Sequence, residues 1–150
     1  MPIRSYKDLD AWKHAVELAA IVDGFSDTLM RARRYAMADQ IGRAALSVSS
    51  NIAEGNGRHH RAEYAHHVSM SRGSLYEVES ILLVAIRTNR LCERECARAF
   101  ALIEVLSRML SNLLRALYRT GTRGEKPAGR SLATPGGTPV PSPQSLVPSP

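Results

Sequence analysis

Leu102-Ile-Glu-Val-Leu106-Ser-Arg-Met109-Leu-Ser-Asn-Leu113-Leu-Arg-Ala-Leu117 is the stretch that decides the fold. Its leucines and its methionine recur every three or four residues, the period of one helix face and not the strict alternation of a strand. A helix over about 93–119 follows, with Ile103, Leu110 and Leu114 forming a second apolar row beside the first. Working backwards, Val68, Leu75, Val78, Leu82 and Ala85 keep the same seam over about 61–88, with Ser71 filling its one gap. Ile41, Ala45, Val48 and Ile52 do so over about 35–54, and Leu9, Trp12, Val16 and Ala19 over about 8–23. Four such segments and no strand pattern predict an all-α, antiparallel up-down-up-down four-helix bundle, because 3-and-4 spacing suits small crossing angles.

The breaks between segments have chemical causes. Asp8 and Glu93 stand near helix starts, where a carboxylate favours the positive end of the dipole. Gly24 is expected to follow the first helix, and Gly55-Asn-Gly57 to close the second in left-handed conformations. Asn89 closes the third, and the short link to Glu93 forces helices 3 and 4 into a hairpin. Small residues at Gly42, Ala45, Ser49 and Ala53 permit close approach along helix 2. The second apolar rows, Ile103, Leu110 and Leu114 with Ile81, Leu83 and Val84, have two destinations: a partner subunit or the neighbouring helices of the same bundle.

Composition divides the chain near position 120. Seven of the 8 Pro and 5 of the 10 Gly fall within 121–150, which also has little to bury. Residues 1–119 are therefore read as the bundle domain, and 120–150 as a disordered Pro/Ser/Gly-rich tail. No apolar run reaches a membrane span, and the first residues lack a signal-peptide core, so a cytoplasmic protein without membrane contact is expected. Cys92 and Cys96 are too few for a disulfide framework and are expected to be reduced.

The chain carries 17 Arg and 3 Lys against 14 carboxylates, a net charge of +6. That excess suits a polyanionic partner held by phosphate contacts, without base specificity. The candidate nucleic-acid-binding residues are Arg31, Arg33 and Arg34 before helix 2, Arg43 within it, and Arg108, Arg115 and Arg119 along one stripe of helix 4. The alternative is a structural or protein-interaction module whose basic surface is merely solvated. No catalytic set emerges: there is no nucleophile elbow, no phosphate loop, and the pair Glu77 and Glu79 points two ways. His60, Tyr64 and His67 share a face with Glu63 nearby, but their spacing matches no metal-ligand motif, so neither a metal nor another cofactor is expected. Glu54 lies at the unfavourable end of its helix dipole and calls for a donor, Arg58 or Arg72. Asn51, Glu54, Gly55 and Arg58 are thus expected to be architectural, with Gly55 in a positive-φ cap.

Three runs of sequence carry a resemblance. They are Tyr6-Lys-Asp-Leu-Asp-Ala-Trp12-Lys-His-Ala15, then Gln40-Ile-Gly-Arg43-Ala-Ala-Leu-Ser47-Val-Ser-Ser-Asn51-Ile-Ala-Glu-Gly55, then Arg58, Glu63-Tyr64 and Gly73-Ser-Leu-Tyr-Glu77. They resemble the four-helix-bundle family of proteins encoded in intervening sequences of 23S ribosomal RNA genes. That family is related to the accessory variability proteins of diversity-generating retroelements. Ala36, Gly42 and Ser49 depart from its usual Gly, basic residue and Pro. The resemblance implies a non-catalytic bundle that assembles into a ring, commonly a homopentamer, with a nucleic-acid role. Its retroelement branch further implies partnership with a reverse transcriptase and its RNA.

Overall fold

The computed structural model describes residues 5–119; the expected disordered tail at 120–150 lies outside the described residues. A 3-10 turn, Tyr6–Asp8, opens the fold. Ser5 and Asp8 close it as a reciprocal cap, the Ser5 hydroxyl accepting from Lys7 N at 3.3 Å and Asp8 accepting from Ser5 N at 3.1 Å. Four helices follow: α1 (Asp10–Arg31), α2 (Tyr35–Asn56), α3 (Arg61–Arg87) and α4 (Glu93–Arg119). Each packs on the next, and α4 returns against α1, where Arg98 pairs with Glu17. That guanidinium holds the half-buried Glu17 carboxyl below its ordinary pKa.

The seams expected on α2 and α3 are the ones the structure buries. Ile41, Ala45, Val48 and Ile52 face Val68, Leu75, Val78, Leu82 and Ala85. Ser71 fills the gap in the α3 seam while fully buried, because its hydroxyl donates to Val48 O at 2.9 Å and leaves no polar atom unsatisfied. Cross-links in one register, Ser74 to Ser47 at 2.9 Å and Gln40 to Glu77, make α2 and α3 antiparallel neighbours over most of α2.

Helix α1 departs from the expectation. Gly24 does not end it: the helix runs through Gly24 to Arg31. Burial of Leu29 beyond the glycine repays the roughly 1 kcal/mol that Gly costs in a helix interior. With Val22 and Leu29 included, the buried stripe is Ala15, Leu18, Val22 and Leu29, one position round from the expected one. Val16, placed in the seam by spacing over a shorter window, is 41% exposed.

The left-handed positions also differ. No described glycine has a positive φ; Gly57 caps α2 at φ −79 and Gly55 lies inside the helix. Arg33, at φ 58, turns the chain from α1 to α2, and Asn89, at φ 54, closes α3 as expected. Asn takes that conformation readily; nothing in the sequence singles out Arg33 for it.

On α4 the second row proves to be the centre of the buried stripe. Ile103, Leu110 and Leu114 are buried with Leu102, Leu106 and Leu117, while Met109 and Leu113 are only half-buried. The α4 rows are therefore consumed within the chain. On α3, Ile81 packs at the core margin, whereas Leu83 and Val84 stay 50% and 46% exposed. Cys96 lies in the core, where burial pushes its thiol pKa up, and Cys92 is exposed; both are free.

Candidate functional site

The Asn51–Arg58 motif occupies the last turns of α2, where α3 doubles back. Gly55 is buried there because α3 leaves no room for a side chain: an added Cβ would lie 2.7 Å from Tyr64 Cδ2 and 2.9 Å from His67 Cβ. The glycine serves close helix approach, not a positive φ. Tyr64 is half-buried against it, and that burial raises its phenol pKa.

Asn51 is buried and fully engaged. Its amide Nδ2 donates to Ser47 O at 2.9 Å and to Ser47 Oγ at 3.0 Å, which leaves Oδ1 as the acceptor. Facing it at 3.2 Å is His67 Nδ1, so that nitrogen carries the donated proton. Glu54 Oε2 approaches the same Nδ1 at 3.7 Å. The donor expected for Glu54 was Arg58 or Arg72, and neither reaches it: the nearest group is His67 Nδ1, 3.7 Å away and already donating to Asn51. The helix axis explains the choice. Position 67 sits across from the 51–55 turn in the α2–α3 register, whereas Arg58 continues beyond the helix end and Arg72 lies more than a turn further along α3.

Arg58 leaves the motif altogether and lines a cleft of about 390 Å3 with Ala62, Glu63, His66 and His67. The Arg58 and Glu63 side chains have no hydrogen-bond or ion-pair partner among the described residues. No three His, Cys, Asp or Glu side chains converge on a metal-sized gap among the described residues.

The candidate basic residues do not form one surface. Arg43 pairs with Asp39 and donates to Gln40 Oε1 at 2.6 Å, and Gln40 in turn meets Glu77. That chain ties α2 to α3, so Arg43 and Glu77 act as structural polar groups. Gly73 contributes no contact of this kind; a Cβ there would meet nothing within 4 Å. Arg108 is paired with Glu104 at 2.8 Å, one turn back on α4. Arg115 and Arg119 stand at the exposed end of α4.

Arg31, Arg33 and Arg34 gather in a different place. The α2–α3 register sets the α1–α2 connection beside the last turns of α3, at the bundle end that also carries the α3–α4 connection. Arg87 closes α3 and Arg90 sits in that second connection, and all five arginines are exposed. The connections 32–34 and 88–92 themselves contain no carboxylate, but Glu93 and Glu95 open α4 beside the second, Glu95 accepting from Cys92 N at 3.2 Å. Sequence inspection singled out three of the five. The other two are found by following the up-down topology, which brings alternate connections to one end.

These features define a small all-helical bundle with a polar lock between its second and third helices and a basic end formed by alternate connections. The chain belongs to the 23S rRNA-intervening sequence protein family, whose profile matches residues 7–112. The fold is similar to a solved structure of a protein of unknown function from the S23 ribosomal protein family of Bacteroides thetaiotaomicron. The two share 19% identity and superpose with a TM-score of 0.54, covering 73% of this chain and 96% of that one. No curated protein matches the chain. No described helix is long and apolar enough to cross a membrane.

Proposed function

We propose that this protein is a non-enzymatic, oligomeric nucleic-acid-binding bundle of the cytoplasm, and that the end bearing Arg31, Arg33, Arg34, Arg87 and Arg90 is its phosphate-binding surface. One observation carries this reading: five exposed arginines share an end, where they outnumber the carboxylates Glu93 and Glu95 that open α4 beside them. Elsewhere the candidate cations Arg43 and Arg108 are neutralised by Asp39 and Glu104. Phosphate contacts of this kind give salt-dependent binding with little base preference.

Arg33, Arg34 and Arg90 changed together to Gln should weaken retention of single-stranded RNA and duplex DNA at least tenfold. The slope of log affinity against log salt should fall by about three. Arg115→Gln, near the far end of the α3–α4 hairpin, should change neither by more than about a third of that amount. Fluorescence anisotropy between 50 and 200 mM salt, roughly the range over which such contacts weaken, reads both. Unchanged binding in the triple variant, or no binding by the parent chain, removes this end as the surface.

The uncovered apolar face of α3 supports assembly. Tyr76 and Leu83, seven residues apart, share one side of the helix with Val84 beside them, and they are 47%, 50% and 46% exposed. A ring, with five copies as the resemblance implies, would cover that face and repeat each basic end once per subunit, adding avidity. Light scattering should give a mass several times the 16.5 kDa of one chain. Leu83→Glu with Val84→Glu should return it to a single chain. A monomeric parent protein overturns assembly. A reverse transcriptase with its RNA is the partner complex to test first.

A further inference from the structure

The cleft at the α2–α3 corner has a chemistry that the polar lock does not use. His67 is fixed through one nitrogen: Nδ1 is given to Asn51 Oδ1 at 3.2 Å and faces Glu54 at 3.7 Å. Its Nε2 has no hydrogen-bond partner among the described residues, and the ring lines the cleft. His66 lies beside it, the two rings 6.0 Å apart at 68°. Arg58 and Glu63 border the same cleft without pairing to each other or to any other described side chain. Ala62 completes the lining with a small apolar surface.

An unpaired guanidinium, an unpaired carboxylate and two imidazoles thus surround a space of about 390 Å3, within the range of small-ligand clefts. A simple anion would satisfy Arg58 but face Glu63. A simple cation would do the reverse. The groups are satisfied together by a ligand with an anionic end, a flat aromatic body and N–H donors. We propose that this cleft binds a single nucleotide. Arg58 takes the phosphate in a forked contact, the imidazoles offer faces and edges to the base, and Glu63 accepts from its amino or imino N–H groups. Asn51 acts through His67 as a positioning residue, since it accepts from Nδ1 and leaves Nε2 for the ligand.

The α1–α2 and α3–α4 connections lie at the other end of the bundle, so this site is independent of the basic end proposed above. Titrations of the full chain with GMP, guanosine, ribose 5-phosphate and inorganic phosphate, followed by the His66 and His67 imidazole NMR signals, test it. GMP should bind at least tenfold more tightly than guanosine or ribose 5-phosphate, and inorganic phosphate should bind weakest. Arg58→Gln should remove the advantage of GMP over guanosine. Glu63→Gln should remove its advantage over ribose 5-phosphate. Both side chains are exposed, so both variants should keep the parent melting temperature. Equal binding of GMP and inorganic phosphate, or full GMP affinity in Arg58→Gln, overturns the proposal. Arg33, Arg34 and Arg90 changed together to Gln should leave GMP binding as it is. Lost polyanion binding with retained GMP binding there separates failure of one site from failure of the other.

Discussion

Gly55→Val should destabilise the bundle by about 2–3 kcal/mol, a large fraction of a small domain's stability. Two opposed effects set the size. Leaving glycine inside a helix costs up to about 1 kcal/mol relative to alanine, so any side chain gains something in helix propensity. Against that, the new Cβ would stand 2.9 Å from His67 Cβ, an atom fixed to the α3 backbone, and 2.7 Å from the Tyr64 ring. The ring can turn aside; α3 cannot, without pulling His67 away from Asn51. Overpacking of this kind typically costs 1–3 kcal/mol, roughly, before the branched side chain adds its own crowding. Gly55→Ala should therefore lose about 1 kcal/mol and Gly55→Val more. Gly24→Ala should gain up to about 1 kcal/mol, because Gly24 lies in a helix with nothing within 4 Å of its added Cβ. Urea unfolding followed by circular dichroism measures all three. A neutral Gly55→Val would mean that the two helices can separate there without loss.

The contrast between these glycines shows which parts of the fold are legible in sequence. Apolar periodicity identifies the α2 and α3 seams, down to the polar Ser71. It misplaces the α1 stripe by one residue because Gly24 invites an early stop, and a shorter window shifts the best-fitting face from Ala15 and Leu18 to Val16 and Ala19. Glycine is ambiguous in itself. The same residue type ends a helix, admits a neighbour or simply sits in an open helix, and only the neighbour's position decides. Gly55 needed α3 in place before its role was visible.

The site divides along the same line. Asn51 is conspicuous in sequence, but its partner His67 is sixteen residues away on another helix, and a histidine on a polar stretch gives no local sign of it. Arg58 stands beside the motif in sequence yet belongs to the cleft. Charge read along the chain likewise groups Arg108 with Arg115, while the structure gives Arg108 to Glu104. Pairings within one turn of a helix were available from spacing; pairings between helices required the register.

Leu110→Ala should cost about 3 kcal/mol and lower the melting temperature by roughly 10 °C, whereas Leu113→Ala should cost about 1 kcal/mol. Spacing alone ranks them the other way, since Leu113 falls in the row with Leu106 and Leu117. The structure buries Leu110 completely and leaves Leu113 half-exposed at the core margin. A truncated leucine loses its transfer free energy and leaves a cavity only where neighbours enclose it, so full enclosure at 110 makes the larger loss. The pair also reports on assembly. A monomer's core does not depend on protein concentration, so Leu110→Ala should cost the same at micromolar and at tenfold higher concentration. If Leu113→Ala matched it, and its cost varied with concentration, another chain would be covering the outer row of α4. The assembly surface would then extend beyond the Tyr76, Leu83 and Val84 face of α3 to which the exposed apolar area assigns it.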